Sequence, residues 1–458
     1  MGDEETRFAA LEEGAGIEAG GMVMDSAEAP LAGVRIVDLT RLGYGAQATA
    51  LCGALGAEVI RIESQTRPDP VRVMPPFVPR PGEARQSEAG LVAVWRPEMG
   101  FNRGGIFFKY NTGGKRSVAL NLKDERGMDL LRRLIAKADV LSESFSAAAL
   151  ERMGLPWEEL RRIKPDLVYV SMSGFGHRGR DRAHVTLGPT AQALTGLTYM
   201  LGLPGRRPAG WSFSYLDHMG GYLGAYAILI GLRHRNRTGE GQHIDVAQIE
   251  PGLPLTGAIA LDRQANGRSY RRAETPPGNR SPEPPMAPHG AYRCAGDDEW
   301  IAIACRDDGD WLRLRQAMSE PEWARAPRFD TIAGRCVHED ELDAGVESFS
   351  REYERYALAD RLTRAGVPAA PVQNARDRVE RDAQLRARGY FVTMPHSESG
   401  AWPLERPPFR LSESEVHVGG AIRRGPPCLG EDTDAVLGEV LGVSADEIEA
   451  LRSAGVLR

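Results

Sequence analysis

The segment from residue 33 to residue 63 most constrains the fold, because strand-like and helix-like runs alternate within it. "GVRIVDLT" is a short apolar run typical of a buried strand, "GAQATALCGALG" has helix-forming composition, and "AEVIRIE" is a second strand-like run. Strand, helix and strand in this order make a βαβ unit, which requires a parallel sheet and a right-handed crossover. We therefore predict an α/β fold with a Rossmann-like large domain.

The same alternation recurs further along the chain. The helix-like "DERGMDLLRRLIAKA" leads into the strand-like "DVLSES", and the helix-like "AALERMG" leads into "PDLVYVSMSGFG", a strand that ends in a glycine turn. "DHMGGYLGAYAILIGLRHRNRTGEG" is predicted to form an apolar helix with a basic last turn and a glycine stop. These runs place the large domain over residues 30–225.

A second, smaller α/β domain is predicted over residues 291–399. Its predicted elements are the strand "EWIAIACR", helices near 309–318 and 339–365, and the strand-like "PAAPVQN" and "GYFVTM". Residues 226–290 are expected to form a linker helix and a long loop, since 261–288 are rich in Arg and Pro without periodicity. Short helices over 432–441 and 445–453 are expected to complete the large domain within 400–458.

Composition excludes several classes of function. The net charge of −6 argues against nucleic acid as a partner, because phosphate binding needs a basic face. The five cysteines are scattered without metal or redox spacing, which indicates buried thiols in a reducing compartment and no metal site. The acidic residues 1–29 lack an apolar run, so we expect a flexible arm, no membrane partner and a cytoplasmic protein.

A glycine motif follows the first strand. Residues 43–48, "GYGAQA", match G-x-G-x-x-A, and Glu63 ends the next strand 20 residues after Gly43. In a dinucleotide fingerprint these residues would approach a pyrophosphate and a ribose hydroxyl of NAD. However, "TRL" separates the strand from the first glycine. The motif leaves three alternatives open: NAD, glycines that only turn the chain, and coenzyme A (CoA) as a different ligand that carries an adenine nucleotide.

The loop "TYMLGLPGRRPAG", residues 198–210, has the glycines and prolines of a functional loop but contains no acid. Its charged side chains are Arg206 and Arg207, which could bind an anion or be solvated charges. No Asp or Glu occurs from Arg182 to Leu216, although the chain contains 63 acidic residues. Any chemistry that this loop performs must therefore proceed without a carboxylate of its own.

Six segments resemble one family. They are "PLAGVRIVDLTRLGYGAQATALCGALGAEVIRIES", "YNTGGKRSVALNLKDERG", "KADVLSESFSAAALERMGL", "KPDLVYVSMSGFG", "RTGEGQHIDVAQIE" and "LGEDTD". In order and spacing they are similar to the class III CoA-transferases, the CaiB/BaiF family. The resemblance implies a Rossmann-like large domain, a smaller domain and an interlocked dimer. It also implies acyl-CoA and carboxylic-acid substrates, with CoA as a ligand and no permanently bound cofactor.

The resemblance also implies a set of CoA contacts. These are Gly43, Tyr44, Lys115, Arg116, Leu120, Asn121, Leu122, Lys123, Phe145, Arg152, Met153, Ser173 and Gly174. The phosphates of CoA favour Lys and Arg side chains and backbone N–H groups at helix starts. The alternative for the four cations of the set is solvated surface charge. Ser64 and Ser144 depart from the family's Arg and Asn, and each departure loses a possible contact.

The family's nucleophile is an Asp in a "G-x-x-D-x-x-P" loop, which matches residues 202–208 here. Gly205 occupies the position of that Asp, so the catalytic residues stay unknown. The acid of the racemases would fall within 186–188, which contains none. Asp217 is expected to cap its helix rather than to act as a substitute nucleophile, and His177 and His218 to be structural.

These observations leave several functional hypotheses. The chain resembles the Asp-lacking subunit of a two-subunit transferase of the benzylsuccinate CoA-transferase kind, which would pair with an Asp-bearing paralogue. A homodimer stays open as well. The alternatives are an acyl-CoA isomerase or lyase without an aspartyl intermediate, an NAD-dependent dehydrogenase and a regulatory CoA-binding protein.

Overall fold

The computed structural model describes residues 29–83, 95–203, 205–210, 214–270 and 278–458. The expected N-terminal arm lies almost entirely outside these residues. The strands are Arg35–Leu39 (β1), Glu58–Glu63 (β2), Arg116–Ala119 (β3), Val140–Glu143 (β4), Val168–Ser173 (β5), Gln242–Ala247 (β6), Ser281–Pro282 (β7), Pro285–Met286 (β8), His289–Arg293 (β9), Trp300–Ala304 (β10), Ala369–Pro371 (β11), Phe391–His396 (β12) and Gly400–Glu405 (β13).

The α-helices alternate with these strands. They are Tyr44–Ala54 (α1), Gly105–Tyr110 (α2), Glu125–Ala136 (α3), Ala149–Arg152 (α4), Trp157–Ile163 (α5), Gly188–Leu194 (α6), Leu197–Met200 (α7), Tyr215–Thr238 (α8), Gly257–Asn266 (α9), Asp308–Ala317 (α10), Ile332–Val337 (α11), Glu339–Ser350 (α12), Arg355–Arg364 (α13), Ala383–Ala387 (α14), Thr433–Leu441 (α15) and Ala445–Ser453 (α16). Within the described ranges, no helix is long and apolar enough to cross a membrane.

The main sheet has six strands in the order β3-β2-β1-β4-β5-β6. β1 pairs in parallel with both β2 and β4, and the pairs β2–β3 and β4–β5 are also parallel. This is the strand order of a Rossmann-type sheet. The progression of strands reverses between β1 and β4, and at such a switch point the connections after the two strands lead to opposite faces of the sheet, which is where folds of this type form a ligand crevice. The predicted α/β, Rossmann-like fold class is confirmed.

Both faces of the sheet are buried. Ile36, Val59 and Val140 pack on one face with residues of α1 and α8. Their chain neighbours Val37, Ile60 and Leu141 pack on the other face with α3, α15 and α16. Successive side chains of a strand point to opposite faces, so a strand covered on both faces must be apolar throughout. This requirement explains why continuous apolar runs in the sequence predict β1, β2 and β4.

The chain divides into two compact units. Unit 1 comprises Met1–Met172, Gly221–Val246 and Val392–Arg458, and unit 2 comprises Ser173–Gly220 and Ala247–Phe391. Unit 2 contains the antiparallel sheet β11-β10-β9 and its own core, which includes Tyr292, Trp311 and Phe329. The interlocked dimer and the domain boundaries expected from the sequence stay predictions.

Residues 261–288 are not the structureless connector that we expected. Residues 261–266 belong to α9, because Ala, Leu, Arg and Gln there favour a helix. β7 and β8 pair over 281–286, where Pro is tolerated since such short edge strands leave N–H groups unpaired anyway. Residues 271–277 lie outside the described residues. The sequence also failed to identify β3 and β6, which are the edge strands of the main sheet and are less fully buried than the central strands.

A network of six buried ionised side chains lies in unit 1. Its members are Asp38, Arg61, Glu63, Asp69, Arg72 and Lys115. The Lys115 Nζ lies 2.9 Å from Asp38 Oδ2, Arg61 Nη2 lies 2.5 Å from Asp69 Oδ2, and Arg72 Nη2 lies 2.5 Å from Glu63 Oε2. Three positive and three negative groups balance, as burial of charge requires.

Removing one charged side chain from this network should lower the free energy of unfolding substantially. We expect Lys115→Met to lower the free energy of unfolding by about 3–5 kcal/mol, because the buried Asp38 then loses its nearest cation and keeps only Arg61, whose Nη1 lies 3.6 Å away. Lys123→Met is the matched control, since the Lys123 side chain is exposed, and it should change stability by less than about 0.5 kcal/mol. Urea denaturation measures both. Equal stability of the two variants would contradict this account of the network.

Candidate functional site

The loops after β1 and β4 meet at the switch point and are joined by one side chain. Ser144 Oγ accepts a hydrogen bond from Arg41 N at 2.8 Å and donates one to Arg41 O at 3.1 Å. Ser144 was expected only to lose a ligand contact through its departure from the family's Asn. In the structure it instead fixes one loop against the other, because a hydroxyl can both donate and accept.

Gly43 and Tyr44 begin α1 beside this bridge. A Cβ at position 43 would lie 2.9 Å from ring carbons of Tyr110, so only glycine allows this close packing. Tyr44 is buried, and its Oη donates to Val246 O at 3.2 Å. The start of α1 therefore lies at the switch point, where the positive end of the helix dipole would favour an anionic ligand group.

Phe145 follows β4 and is held by the last residue of that strand. The Phe145 N–H donates to Glu143 Oε2 at 2.6 Å, and Tyr169 Oη donates to Glu143 Oε1 at 3.0 Å. Glu143 is fully buried, and burial raises its pKa to about 7. Gly43 and Tyr44 follow Arg41, and Phe145 follows Ser144, so the Arg41–Ser144 hydrogen bonds hold the two segments that carry them next to each other.

The segment 120–123 follows β3, two strands away from β1 and therefore about 10 Å along the sheet edge. Leu120 is buried and Leu122 packs partly buried against the core, whereas Asn121 N donates to Val456 O at 2.7 Å. Asn121 Oδ1 accepts from Lys123 N at 3.2 Å. A ligand that contacts both 43–44 and 120–123 must therefore be extended.

The predicted cations fall into two groups. Lys123 and Arg152 are exposed, and the neighbouring Met153 packs partly buried against the core. Lys115 is instead fully buried, with Nζ within 3.2 Å of Asp38 Oδ2, Ala46 O, Thr49 Oγ1 and Asn111 Oδ1.

Burial of Lys115 decides against one of the two roles that the sequence left open. Solvated surface charge is wrong for this residue, and its ammonium group already has a full set of acceptors. Arg116 forms ion pairs with Glu58 at 3.0 Å and Glu439 at 2.8 Å. A contact of either residue with a ligand stays a prediction.

Sequence reasoning missed Arg41. Its guanidinium is half-buried at the switch point and donates to Pro68 O at 2.8 Å. Burial and the nearby charges of Arg67 and Arg61 lower its pKa, although Asp69 opposes them, which is typical of a cation held among other cations. Its position in the sequence could have identified it. Arg41 lies directly after a parallel strand, in the "TRL" that separates this strand from the first glycine of the dinucleotide motif.

Ser64, the other departure from the family pattern, also has a local role. Its Oγ donates to Arg458 O at 3.1 Å and lies 3.0 Å from Thr66 Oγ1. Its hydroxyl therefore joins the turn after β2 to the last residue of the chain.

Ser173 and Gly174 belong to unit 2. Ser173 O accepts from Gln248 N at 2.9 Å, and Gly174 O accepts from Ile249 N at 3.1 Å. A Cβ at Gly174 would lie 2.0 Å from Thr186 Oγ1, so a side chain has no room there. Whether these two residues contact the ligand stays a prediction.

The loop without an acid also lies in unit 2. Gly205 has φ of +66°, and apart from its chain neighbours no atom of the described residues lies within 4 Å of the place where its Cβ would be. Arg206 and Arg207 are exposed. Pro204 and residues 211–213 lie outside the described residues. The loop therefore presents a glycine with open space around it where the family pattern has the nucleophile.

The place of the racemase acid cannot hold a side chain. Gly188 begins α6, and a Cβ there would lie 1.3 Å from Ser214 Oγ and 3.0 Å from Asp217 Oδ2.

Asp217 lies in the first turn of α8, where its Oδ1 accepts from Gln248 Nε2. Burial raises the pKa of Asp217, while hydrogen bonds from Ser214 and Gln248 oppose the shift. His218 lies in the same turn, and His177 is half-buried after β5.

Glu63 is poorly placed for a ribose hydroxyl. Arg72 donates to its two oxygens at 2.9 and 2.5 Å, and Ser117 Oγ donates at 2.8 Å. Burial favours the neutral acid, but Arg72 and Arg61 outweigh it and hold the pKa of Glu63 at about 2. Among the described residues, no group of three or more His, Cys, Asp or Glu could hold a metal ion.

Comparisons with known proteins agree with this geometry. The model of CoA-transferase family III matches residues 31–433. The chain belongs to CoA-transferase family III. The chain is 31% identical to the beta subunit of succinyl-CoA–L-malate CoA-transferase from Chloroflexus aurantiacus, over 93% of this chain and 98% of the relative. The alpha subunit of that enzyme is also 31% identical, over 93% of this chain and 92% of the relative.

A solved structure extends the similarity to three dimensions. A CaiB/BaiF family protein from Brucella suis matches with a TM-score of 0.77 and 30% identity, over 90% of this chain and all of that one. The family match and these relatives confirm the resemblance seen in six sequence segments. Family III CoA-transferases use CoA thioesters as substrates. The dehydrogenase alternative lacks a Glu63 that is available to a ribose, since Arg72 and Ser117 occupy its carboxylate.

The Ser144 bridge is directly testable. Ser144→Ala removes two hydrogen bonds between the loops and should lower the free energy of unfolding by about 1–2 kcal/mol, measured by urea denaturation. Ser146→Ala, two residues along the same loop and also half-buried, should cost less. If both variants unfold alike, Ser144 does not join the loops.

Proposed function

We propose that unit 1 binds CoA and acyl-CoA at the switch point between β1 and β4. The nucleotide end would approach Gly43 and Tyr44 at the start of α1, while Phe145 borders the crevice from the loop after β4. Lys123 and Arg152 would hold phosphate groups, together with Arg41, which is half-buried at the same edge. The extended shape of CoA suits contacts that are spread along the sheet from β3 to β4.

We propose further that the chain takes part in CoA transfer between carboxylic acids as a subunit without its own nucleophile. The observation that carries this proposal is Gly205, in a stretch from residue 182 to residue 216 without any Asp or Glu. Two relatives with the same level of identity are named as the alpha and beta subunits of one transferase, which supports a partner built like this chain.

The chemistry explains why a partner is needed. A carboxylate can attack the thioester carbonyl of the donor, expel the CoA thiolate and form a mixed anhydride. The thiolate then attacks the enzyme's acyl carbon and releases the donor acid, and the acceptor acid reverses both steps. Glycine supplies neither the nucleophile nor the leaving group. In this proposal, those steps occur on an Asp of the paralogue, and this chain contributes CoA binding.

The covalent intermediate locates the nucleophile. Incubated alone with donor acyl-CoA, the chain should form no adduct on residues 198–210, whereas with an Asp-bearing paralogue it should support transfer, with the adduct on the paralogue. Hydroxylamine trapping followed by mass spectrometry maps the labelled residue.

Transfer by the pure chain, with an adduct on Asp217 or another of its own residues, would refute the proposal of a subunit without a nucleophile. Turnover of acyl-CoA without any adduct and without a partner would favour the isomerase or lyase alternative. Gly205→Asp is a weaker companion variant, because an acid there must adopt a positive φ and lacks the surrounding pocket.

Charge at the sheet edge should set CoA affinity. We expect Lys123→Ala to weaken CoA binding by about tenfold or more, because a hydrogen bond to a charged group contributes about 1.5–3 kcal/mol. Lys137→Ala is the matched control: Lys137 is also exposed, but it lies beside Arg35 at the opposite end of β1. Calorimetric titration with CoA and dephospho-CoA measures the effect. Equal losses in both lysine variants would remove Lys123 from the site.

A further inference from the structure

We propose that Glu143 is a positioning residue for CoA, which holds the backbone of Phe145 so that the protonation state of Glu143 controls CoA affinity. This inference rests on the proposed CoA site at the switch point. Neither the family pattern nor the comparisons assign a role to Glu143. Its side chain does not line the crevice, and it acts through the loop that does.

Glu143 is built into the end of β4. It is fully buried, and its two oxygens hold different elements: Oε2 accepts the N–H of Phe145 at 2.6 Å, and Oε1 accepts the hydroxyl of Tyr169 from β5 at 3.0 Å. The loop after β4 is therefore fixed at two consecutive residues, by Glu143 at the Phe145 backbone and by the Ser144 hydroxyl at Arg41. Both contacts lie within unit 1.

A layer of aromatic and titratable side chains surrounds the carboxyl group. The Tyr169 ring stacks on His243 of β6, with ring centroids 4.4 Å apart, and the Trp157 ring lies 6.2 Å from Tyr169. His243 Nε2 lies 2.8 Å from Ser171 Oγ. The titratable groups that face Glu143 or its partner are Tyr169, His243, Asp245 and Glu151, and the last two add negative charge.

Glu143 and Glu63 end two strands of the same sheet in opposite electrostatic surroundings. Arg72 and Arg61 keep Glu63 ionised at all ordinary pH values. Burial is the largest influence on Glu143 and raises its pKa to about 7; Asp245 acts in the same direction, while the Phe145 and Tyr169 hydrogen bonds oppose it. Glu143 therefore changes its charge near neutral pH, whereas Glu63 does not.

The two protonation states hold the loop differently. The carboxylate only accepts, so it can take the Phe145 N–H and the Tyr169 hydroxyl together, and charge-assisted hydrogen bonds are about twice as strong as neutral ones. The neutral acid carries a proton of its own, which competes with one of these donors. Ionisation thus orders residues 144–146 for the ligand. By linkage, CoA binding should lower the pKa of Glu143 and release a proton near pH 7.

The test measures CoA affinity of the full chain by calorimetry from pH 6 to pH 8.5. We expect the affinity to rise about fivefold as pH increases through the pKa of Glu143. Glu143→Gln should bind more weakly at pH 8 and lose this rise, since an amide cannot ionise. The 3′-phosphate of CoA also titrates, so each variant is compared with the wild type and repeated with dephospho-CoA.

Two further variants should move the midpoint in opposite directions. Tyr169→Phe removes a hydrogen bond that lowers the pKa of Glu143 and should raise the midpoint, whereas Asp245→Asn removes a charge that raises it and should lower the midpoint. Asp129→Asn, which removes an exposed carboxylate from α3, should leave it unchanged. These variants test the role of Glu143 in the pH dependence of CoA affinity even if Glu143→Gln does not fold.

Different outcomes refute different claims. If the wild-type chain binds no CoA at any pH, the proposed CoA site is wrong. If it binds CoA, but Glu143→Gln keeps the wild-type pH dependence or neither neighbour variant moves the midpoint, the site survives and the role of Glu143 is refuted. A purely structural Glu143 would lower the stability of its variant without changing the pH profile of CoA affinity.

Discussion

Asp38 is the interaction centre on which unit 1 depends. Its carboxylate accepts hydrogen bonds from Lys115, Thr40 and Thr49, so one buried acid ties the end of β1 to α1 and to the segment before β3. Asp69 continues the network and accepts from the backbone N–H of Leu42, which has a positive φ of 61°. A charge that cannot be hydrated must be matched inside the protein. The loop at the switch point is therefore set by the pairing of charges beneath it.

Binding and covalent chemistry depend on structure to different degrees in this chain. The crevice at the switch point is formed by backbone and by buried supports, such as the bridge of Ser144 between two loops. The nucleophile of the family pattern is a single side chain on a loop of unit 2. One substitution can remove such a nucleophile, whereas the crevice follows from the strand order itself. In the proposed function, a chain of this fold can therefore bind CoA without supplying the residue that forms the intermediate.

The sequence predicted the architecture well because burial on both faces leaves a continuous apolar signal in β1, β2 and β4. Gly43 and Phe145 came from the family resemblance, and the structure places them just after β1 and β4, whose carboxyl ends lie at one edge of the sheet. The sequence could not predict Lys115, since its partner Asp38 is 77 positions away and an isolated lysine resembles a surface residue. It could not predict the roles of Glu143 and Ser144 either, because their side chains bind backbone groups of other residues, and such contacts leave no pattern in the sequence. Residues 261–288 were wrongly predicted to be a long loop, because their many prolines gave no helical or strand periodicity although the segment contains the end of α9 and the β7–β8 hairpin.

The backbone at Gly205 has a consequence for how its loop could change. With φ of +66°, the position lies in the left-handed region, which glycine adopts freely and which costs most other residues about 1 kcal/mol or more. An Asp at this position would have to keep the left-handed backbone, which Asp adopts more readily than most residues. Apart from the chain neighbours, the described residues place no atom within 4 Å of its Cβ. Orientation of the new carboxylate, more than backbone strain, would therefore limit what such a side chain could do.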